Sequence, residues 1–275
     1  MATQPHLLVE EGDLTDVALI PGDPGRVDRI ADHCDEAETV AENREYKVVN
    51  ATYGDRELTI CSTGIGCPSA AIAIEEMANV GVETFIRVGT TGALQSNIEI
   101  GDMIVATGAA KDEGTTKRYE HVEYPAVPDY EVLSALVEAA RASEASLGDG
   151  KAGVEDGEPD EEDGEPDVGG AETNATAGSV HVGPIATDDA FYAETDEYVD
   201  DWEDAGLLAV EMEAAVIFSL ARRKGRRAGA ICTVDGNLVA GTQKGVDTED
   251  EELPEKARDN VGRAIDIALE AVRTM

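Results

Sequence analysis

The stretch Thr84–Ala93 constrains the fold more than any other part of the chain. Its first five residues, Thr84–Val88, are apolar and partly β-branched, which is typical of a buried central strand in a parallel sheet. Gly89 and Gly92 predict that the strand then ends in a turn. Arg87 lies inside the apolar run, and burying a guanidinium costs free energy unless an anion pairs with it. Because ligands of open α/β sheets bind beyond the carboxyl ends of the strands, the stretch predicts either an anion site or an internal carboxylate partner.

Short apolar segments alternate with longer amphipathic segments along most of the chain. Predicted strands end near residue 20 and cover 58–62, 84–88, 102–107, 180–187, 207–210 and 229–234. Predicted helices cover 27–33, 70–79, 130–142, 196–203, 211–224 and 256–274. The exception is an early hairpin that opens at 43–46 and turns at 53–56. This alternation predicts the α/β class, as a single three-layer domain over residues 1–275 with a mostly parallel central sheet.

One segment, from about residue 144 to residue 179, lacks this pattern. It contains few apolar residues, and the sequence EDGEPD occurs in it at 155–160 and again at 162–167. Such a segment cannot bury enough apolar surface to fold, so we predict a disordered acidic loop that interrupts the domain. Calcium binding is the alternative, but the spacing of an EF-hand loop is absent.

The chain is unusually acidic, with 59 acidic and 21 basic residues and a formal net charge of −38. This charge argues against nucleic acids and anionic membranes as partners, because their phosphate groups would be repelled. The self-repulsion fades at high salt, where the Debye length falls to about 3 Å, so our hypothesis is a halophilic cytoplasm. Four cysteines without C-x-x-C spacing, no run of 18 apolar residues and no leader pattern in residues 1–10 agree with a reducing, cytoplasmic location.

Three further junctions carry the residues of a ligand site. The segment Gly22–Arg26, GDPGR, combines backbone N–H groups, a helix N-terminus and a guanidinium, as an anion site would. Taken alone, however, it favours an ordinary turn with a surface arginine. The loop Thr63–Ser69 superficially matches a dinucleotide-binding loop, but Ser69 stands where the third glycine belongs. Glu211 and Glu213 lie at a strand–helix junction, where carboxylates either cap the helix or face a ligand.

Four segments together resemble a known family. GDPGR (22–26), STGIGCPS (62–69), RVGTTGA (87–93) and VEMEAA (210–215) occur in the order found in nucleoside phosphorylases of the hexameric purine and uridine type. The resemblance covers nearly the whole chain except the acidic loop. STGIGCPS and RVGTTGALQ favour uridine phosphorylase, whereas the N-terminal segment and the VEMEAA and ICTV segments are equally similar to the bacterial purine enzyme.

The resemblance implies sites for phosphate, ribose and base, with inorganic phosphate as co-substrate and no required cofactor. The implied phosphate ligands are Gly22, Arg26, Arg87 and Thr90, with Arg44 from a neighbouring subunit. The implied ribose ligands are Glu211, Met212 and Glu213, with His6 from the neighbour. The implied base site contains Thr91, Gly92, Phe191 and Asp235. The resemblance also implies a homohexamer built as a trimer of dimers, and a potassium ion held by Glu45, Ile65 and Ser69.

Two departures from the family pattern leave the base open. The uridine enzymes carry a Gln-x-Arg pair after Phe-Tyr, but Phe191-Tyr192 is followed by AETDE, residues 193–197. The purine enzyme carries an aspartate in a Ser-Asp-His segment, but here Asp235-Gly236-Asn237 shifts the acid by one position. Acidic groups suit the N–H donors of guanine better than the carbonyls of uracil. The motif likeness thus favours uridine, whereas the acidic groups favour the alternative, guanosine or inosine.

The expected chemistry is phosphorolysis through a transition state that resembles an oxocarbenium ion. Arg87 would bind phosphate, Glu213 would bind the sugar hydroxyls, and Asp235 would stabilise or protonate the leaving base. A nucleoside hydrolase of the same fold is a second alternative, but it would not need the three predicted arginines. A non-enzymatic acidic interaction protein would not explain the buried arginine. Replacing Arg87 with alanine is expected to impair the use of phosphate with little loss of fold.

Overall fold

A computed structural model of the protein describes residues 3–149, 178–242 and 255–275. The strands are β1 (Val17–Ile20), β2 (Glu36–Asn43), β3 (Tyr46–Tyr53), β4 (Arg56–Cys61), β5 (Thr84–Ala93), β6 (Met103–Asp112), β7 (Val180–Asp188), β8 (Ala209–Glu211) and β9 (Arg227–Asn237). The helices are α1 (Pro24–Ala31), α2 (Cys67–Asn79), α3 (Tyr130–Asp149), α4 (Asp196–Asp204), α5 (Ala214–Arg223) and α6 (Glu255–Thr274), and a short 3₁₀ helix spans Thr116–Arg118.

Within the described residues, nine strands form one sheet. Their order is β2-β3-β4-β1-β5-β8-β7-β6-β9, and β5 also pairs with β9, so the pairings from β5 to β9 form a closed ring. Five pairings are parallel: β1–β4, β1–β5, β5–β9, β6–β7 and β7–β8. Four are antiparallel: β2–β3, β3–β4, β5–β8 and β6–β9. Because β5 pairs with β1, β8 and β9, it joins the open part of the sheet to the ring.

Helices cover both faces of the sheet. Helices α2 and α5 pack in one apolar cluster, to which β5 contributes Phe85 and α5 contributes Phe218. Helices α1, α3 and α6 pack in a second cluster, to which β5 contributes Ile86 and α6 contributes Leu269. Adjacent residues of β5 thus face opposite layers, as the alternation of a strand requires. The predicted three-layer α/β fold is confirmed. Among the described residues, no helix has the length and apolar character that a membrane crossing needs.

The prediction that β5 ends at Gly89 is wrong, because the strand continues to Ala93. Gly89 pairs with Cys232 of β9, and Gly92 pairs with Gly236. A Cβ atom at Gly89 would lie 2.9 Å from the Arg87 guanidinium, and one at Gly92 would lie 2.3 Å from a Leu238 methyl group. The two glycines therefore provide space for neighbouring side chains and do not terminate the strand.

Other boundaries differ from the sequence-based predictions. Strand β2 was not predicted, because its EAETVAEN sequence is largely exposed and lacks an apolar face. Helix α3 continues to Asp149, so the predicted start of the acidic loop at about 144 is too early. Two of its residues are used by neighbours: Glu144 accepts a hydrogen bond from the Val180 N–H, and Ser143 accepts one from Arg263. The rest of the predicted loop, up to residue 177, lies outside the described residues.

Candidate active site

The candidate active site lies where the carboxyl ends of several strands meet three helix N-termini, those of α1, α2 and α5. Arg87 is paired with Ile20 across β1 and β5, so it lies beside the turn that leads from β1 into α1. The loop after β4 joins the same turn, because the Thr63 N–H donates to the Pro21 carbonyl over 2.9 Å. Strand β8 pairs antiparallel with the end of β5, and its last residue is Glu211. The sheet topology therefore assembles segments that are up to about 190 residues apart, as residues 20 and 211 show.

Arg87 is buried between two carboxylates. Its Nε lies 2.7 Å from Oε2 of Glu211, and its Nη2 lies 2.6 Å from Oε2 of Glu213. Burial acts to lower the pKa of Arg87, but the charges of Glu213 and Glu211 outweigh it and raise that pKa above its usual value. The internal carboxylate partner considered from the sequence is thus present. However, neither Nε nor Nη1 makes an aligned hydrogen bond to any described residue. Arg87 can still donate hydrogen bonds to an anion.

Glu211, which ends β8 just before α5, is held entirely by other groups of the protein. One carboxylate oxygen accepts a hydrogen bond from the Thr187 hydroxyl over 2.6 Å. The other accepts one from the Glu213 N–H over 2.9 Å, and the Ala214 N–H is 2.9–3.0 Å from both oxygens. The side chain of Glu211 is 0% exposed. A carboxylate at this place satisfies the free N–H groups of the helix terminus and the positive end of its dipole.

Glu213 faces the site from the first residue before α5. Its Oε1 accepts a hydrogen bond from the Gly66 N–H over 2.5 Å, and its Oε2 pairs with Arg87. Gly66 has φ of +89°, a conformation that favours glycine, and it directs its N–H group at Glu213 from the beginning of α2. Burial raises the pKa of Glu213, although Arg87 opposes this effect. The 62–69 loop therefore orients a carboxylate, a role that the resemblance to a dinucleotide loop did not indicate.

Arg26 supplies a second buried guanidinium. It lies in the first turn of α1, is 7% exposed and donates from Nη1 to the Val88 carbonyl over 3.3 Å. Its Nε has no hydrogen-bond partner among the residues that the structure describes. Burial, followed by the charge of Arg87, lowers the pKa of Arg26. Two cations that repel each other and retain unused N–H groups form a site that an anion would stabilise. Gly22 precedes α1, and a Cβ there would lie 3.3 Å from the Gly64 carbonyl.

Asp235 reaches the site through a β-bulge. Thr91 pairs with Val234, but Gly92 pairs with Gly236, so Asp235 is the extra residue of β9. Bulges of this kind redirect a side chain next to an active site. Asp235 is 6% exposed, and its charge acts on Arg26. The prediction that the last strand ends at Val234 is therefore wrong.

The remaining predicted site residues of the same chain lie at or just beyond the ends of β5, β7 and β8. The hydroxyl of Thr91 donates to the Val210 carbonyl over 2.6 Å, which fixes the contact between β5 and β8. Thr90 and Gly92 are half-buried at the end of β5, and Met212 lies between the two glutamates. The Met212 carbonyl accepts a hydrogen bond from the Cys67 thiol over 3.3 Å. Phe191 is half-buried just after β7 and contacts Tyr192 edge to face.

The two residues expected from a neighbouring subunit lie together at another surface. Arg44 is exposed at the tip of the β2–β3 hairpin with φ of +58°. The Asn43 side chain donates to the His6 carbonyl over 2.7 Å, and His6 Nδ1 lies 2.5 Å from Glu76. His6 is thus fixed beside the hairpin that carries Arg44. The predicted potassium ligands lie near this hairpin, since the Ser69 hydroxyl donates to Glu45 over 3.2 Å. Ile65, the third, is 78% exposed.

Comparison with known proteins places these features in a family. The sequence model of the Phosphorylase superfamily matches residues 16–273 of this chain. A guanosine phosphorylase from Halorubrum lacusprofundi is 65% identical over 275 residues, which cover 100% of both chains. A uridine phosphorylase from Thermococcus kodakarensis is 40% identical over 249 residues, covering 86% of this chain and 78% of the relative.

Solved structures agree with the sequence matches. Uridine phosphorylase from Vibrio fischeri ES114, complexed with 6-hydroxy-1-naphthoic acid, superposes with a TM-score of 0.79 at 30% identity. The match covers 100% of this chain and 98% of that chain. Fold and site define an α/β protein whose charged centre lies at the carboxyl ends of the strands. The chain belongs to the phosphorylase superfamily, which confirms the resemblance seen in its four motifs.

The sequence missed three residues that shape the centre. Thr187 holds Glu211, Gly66 holds Glu213, and Gly89 leaves the space that the Arg87 guanidinium occupies. Thr187 had one usable signal, since a threonine at the carboxyl end of a buried strand lies at the ligand-binding edge of a parallel sheet. The partner of Gly66 is 147 positions away, so no local pattern indicates it.

Proposed function

We propose that the protein is a nucleoside phosphorylase, a pentosyltransferase that converts guanosine and inorganic phosphate to guanine and ribose 1-phosphate. The observation that carries the proposal is the buried Arg87 guanidinium, which lies between Glu211 and Glu213 and keeps an Nη1 group that no described residue uses. Arg26 provides a second cation with the same property. Relatives named guanosine phosphorylase and uridine phosphorylase support this class of reaction.

The residues divide the chemistry between the two substrates. Arg26 and Arg87 bind phosphate through charge-assisted hydrogen bonds, for which the geometry of a guanidinium is well suited, and Gly22 and Thr90 add further donors. Glu213 accepts hydrogen bonds from the ribose hydroxyls, and its charge stabilises the positive sugar of the transition state. Met212 packs against the sugar. Direct displacement by the bound phosphate needs no covalent enzyme intermediate.

Guanosine is favoured over uridine by the acid at the base site. Asp235 is buried at the bulge beside Thr91 and Gly92, and a carboxylate accepts hydrogen bonds from the ring N–H and amino group of guanine. The 65% identical relative named guanosine phosphorylase points the same way. Uridine is the second candidate, because the 62–69 and 87–93 segments match the uridine type and several relatives at 31–40% identity carry that name.

A substrate panel tests the proposal. Guanosine, inosine, adenosine, uridine and thymidine are incubated with the protein in concentrated KCl, with and without phosphate, and both sugar products are identified. Phosphate-dependent release of guanine with ribose 1-phosphate is the expected result. Free ribose released without phosphate would show a hydrolase. The Asp235→Asn variant should lose more kcat/KM with guanosine than with uridine, and an equal loss would remove Asp235 from base recognition.

We also propose that the active form is a homo-oligomer, a hexamer built from dimers, in which Arg44 and His6 complete the site of the neighbour. The proximity of His6 to the Arg44 hairpin supports this, because one contact would deliver both side chains. Complementation tests it: Arg44→Ala and Glu213→Gln subunits, each inactive alone, should regain activity when they are unfolded and refolded together. A mixture that stays inactive would refute a shared site.

The same interface is proposed to hold potassium. Oxygen atoms from Glu45, Ser69 and the Ile65 backbone suit a hard cation, and the Ser69 hydroxyl already lies 3.2 Å from the Glu45 carboxylate. We further propose a halophilic cytoplasm as the working environment, on the basis of the net charge of −38. Exchange of KCl for NaCl tests the first proposal through activity. Stability in salt-free buffer equal to that in concentrated salt would refute the second.

A further inference from the structure

The side chain of Glu211 has no capacity left for a substrate. Its carboxylate contacts the Thr187 hydroxyl, the Glu213 N–H, the Ala214 N–H and the Arg87 Nε, all within 3.0 Å. A carboxylate has about four lone-pair positions, and the hydrogen bonds from the Thr187 hydroxyl, from the Glu213 N–H and from the Ala214 N–H to both oxygens already use them. The side chain is also 0% exposed. Glu211 therefore differs from Glu213, although the family resemblance assigns both to the ribose.

Thr187 is the residue that fixes this carboxylate from the opposite strand. It is register partner of Glu211 in the parallel β7–β8 pair, and it is 0% exposed. Its hydroxyl donates to Glu211 over 2.6 Å and accepts from the Ala215 N–H over 3.0 Å. A hydroxyl can donate and accept at once, which a methyl group of the same size cannot do. Thr187 thus ties β7, the Glu211 carboxylate and the first turn of α5 together.

We propose that Thr187 is a positioning residue for the phosphate co-substrate: it orients Glu211, which in turn orients the Arg87 guanidinium, and neither the Thr187 nor the Glu211 side chain contacts the sugar. The inference rests on the proposed function only in naming phosphate as the anion. It gives the two glutamates of the VEMEAA segment different roles. Glu211 sets the direction of Arg87, and Glu213 binds the ribose.

The Thr187→Val variant keeps the shape of the side chain and removes its hydroxyl. The Glu211 carboxylate then loses a buried donor and the Ala215 N–H loses its acceptor, so Glu211 turns and Arg87 loses the fixed direction of its Nε. The loss of a hydrogen bond to a charged group costs about 1.5 kcal/mol. This cost corresponds to roughly tenfold weaker binding of phosphate. The KM for the nucleoside should stay unchanged. Thr187→Ser keeps the hydroxyl and should bind phosphate as the wild type does.

Thr233→Val is the matched control. Thr233 is also a 0% exposed strand threonine, but its hydroxyl has no hydrogen-bond partner among the described residues. The four proteins are titrated with inorganic phosphate by isothermal titration calorimetry in concentrated KCl, and their KM values for phosphate and nucleoside are compared. Unfolding in urea checks that each variant is folded. Weaker phosphate binding in Thr187→Val alone supports the proposal.

Three results would overturn it: a Thr187→Val protein that binds phosphate normally, an equal loss in Thr187→Ser or Thr233→Val, or a wild type that binds no phosphate. The calorimetry needs no turnover. If the wild type cleaves no nucleoside, the proposed function fails, but the titrations still decide the role of Thr187.

The Glu211→Gln variant tests directly whether the Glu211 side chain contacts the sugar. Its kcat/KM ratio of guanosine to 2′-deoxyguanosine should equal that of the wild type, and an altered ratio would show that Glu211 contacts the ribose.

Discussion

Replacing Arg87 with methionine removes the cation from the middle of the centre. The variant leaves Glu211, 0% exposed, and Glu213, 5% exposed, as buried carboxylates without their counter-ion. Breaking a buried ion pair on one side costs about 3–5 kcal/mol, because the remaining charge is uncompensated. Glu211 keeps its hydroxyl and N–H donors and Glu213 keeps the Gly66 N–H, so we expect a loss within this range and a folded protein at neutral pH. This revises the expectation that removing the Arg87 side chain leaves the fold almost unaffected.

The loss should depend on pH in a defined direction. Burial already raises the pKa of Glu213, and Arg87 is the charge that opposes this, so the variant raises that pKa further. A group whose pKa is higher in the folded protein stabilises the fold below its unfolded pKa, about 4.3 for glutamate, and this contribution is lost as the pH rises through the folded pKa. The free energy of unfolding of the variant should therefore be closest to that of the wild type at about pH 4.5, and the difference should be largest at neutral pH.

Urea unfolding in concentrated KCl measures both effects. Arg226→Met is the control, since Arg226 pairs at the surface with Glu83, and such a pair contributes about 0–1 kcal/mol. The double variant Arg87→Met/Glu213→Gln should recover part of the stability, because it removes one of the two stranded charges. A loss in Arg87→Met no larger than that in Arg226→Met would refute the buried ion-pair network.

Because burial raises the pKa of Glu213, the stability of the wild type relative to Glu213→Gln should fall as the pH rises above about 4.3, and parallel urea curves at every pH would contradict this. Gly89→Ala places a Cβ 2.9 Å from the Arg87 guanidinium, so it should raise the KM for phosphate about tenfold, unlike Gly108→Ala, where the nearest atom is 3.4 Å away. Arg26→Met should raise the KM for phosphate about 10–100-fold through the loss of charge-assisted hydrogen bonds, measured by steady-state kinetics, and an unchanged KM would remove Arg26 from the phosphate site.

The sequence predicts the fold because local pattern and layer architecture agree. Alternating strands and helices require a sheet with helices on two faces, and the observed clusters around Phe85 and Ile86 confirm this. Arg87 could also be singled out, since one cation in an apolar strand violates the pattern that surrounds it. Both inferences use only residues near one another in the chain.

The partners of Arg87 could not be derived in the same way. Glu211 and Glu213 follow it by more than 120 positions, and either helix capping or ligand binding is compatible with their place in the sequence. The structure shows that Glu211 performs the capping and Glu213 faces the site. Closure of the sheet into a ring depends on the β5–β9 and β5–β8 pairings, which arise from tertiary packing and have no sequence signature of their own.

The bulge at Asp235 shows why motif likeness does not transfer residue by residue at the base site. The Asp-Gly-Asn sequence is typical of a turn, yet β9 remains paired with β5 through these residues. Up to Val234 the register is regular, and the extra residue then lets Gly236, not Asp235, pair with Gly92. A shift of one residue in a strand exchanges its two faces. The bulge adds one residue at Asp235, so the displacement of the acid by one position does not by itself put it on the opposite face. The base recognition that we propose for Asp235 would depend on this backbone feature as much as on the aspartate.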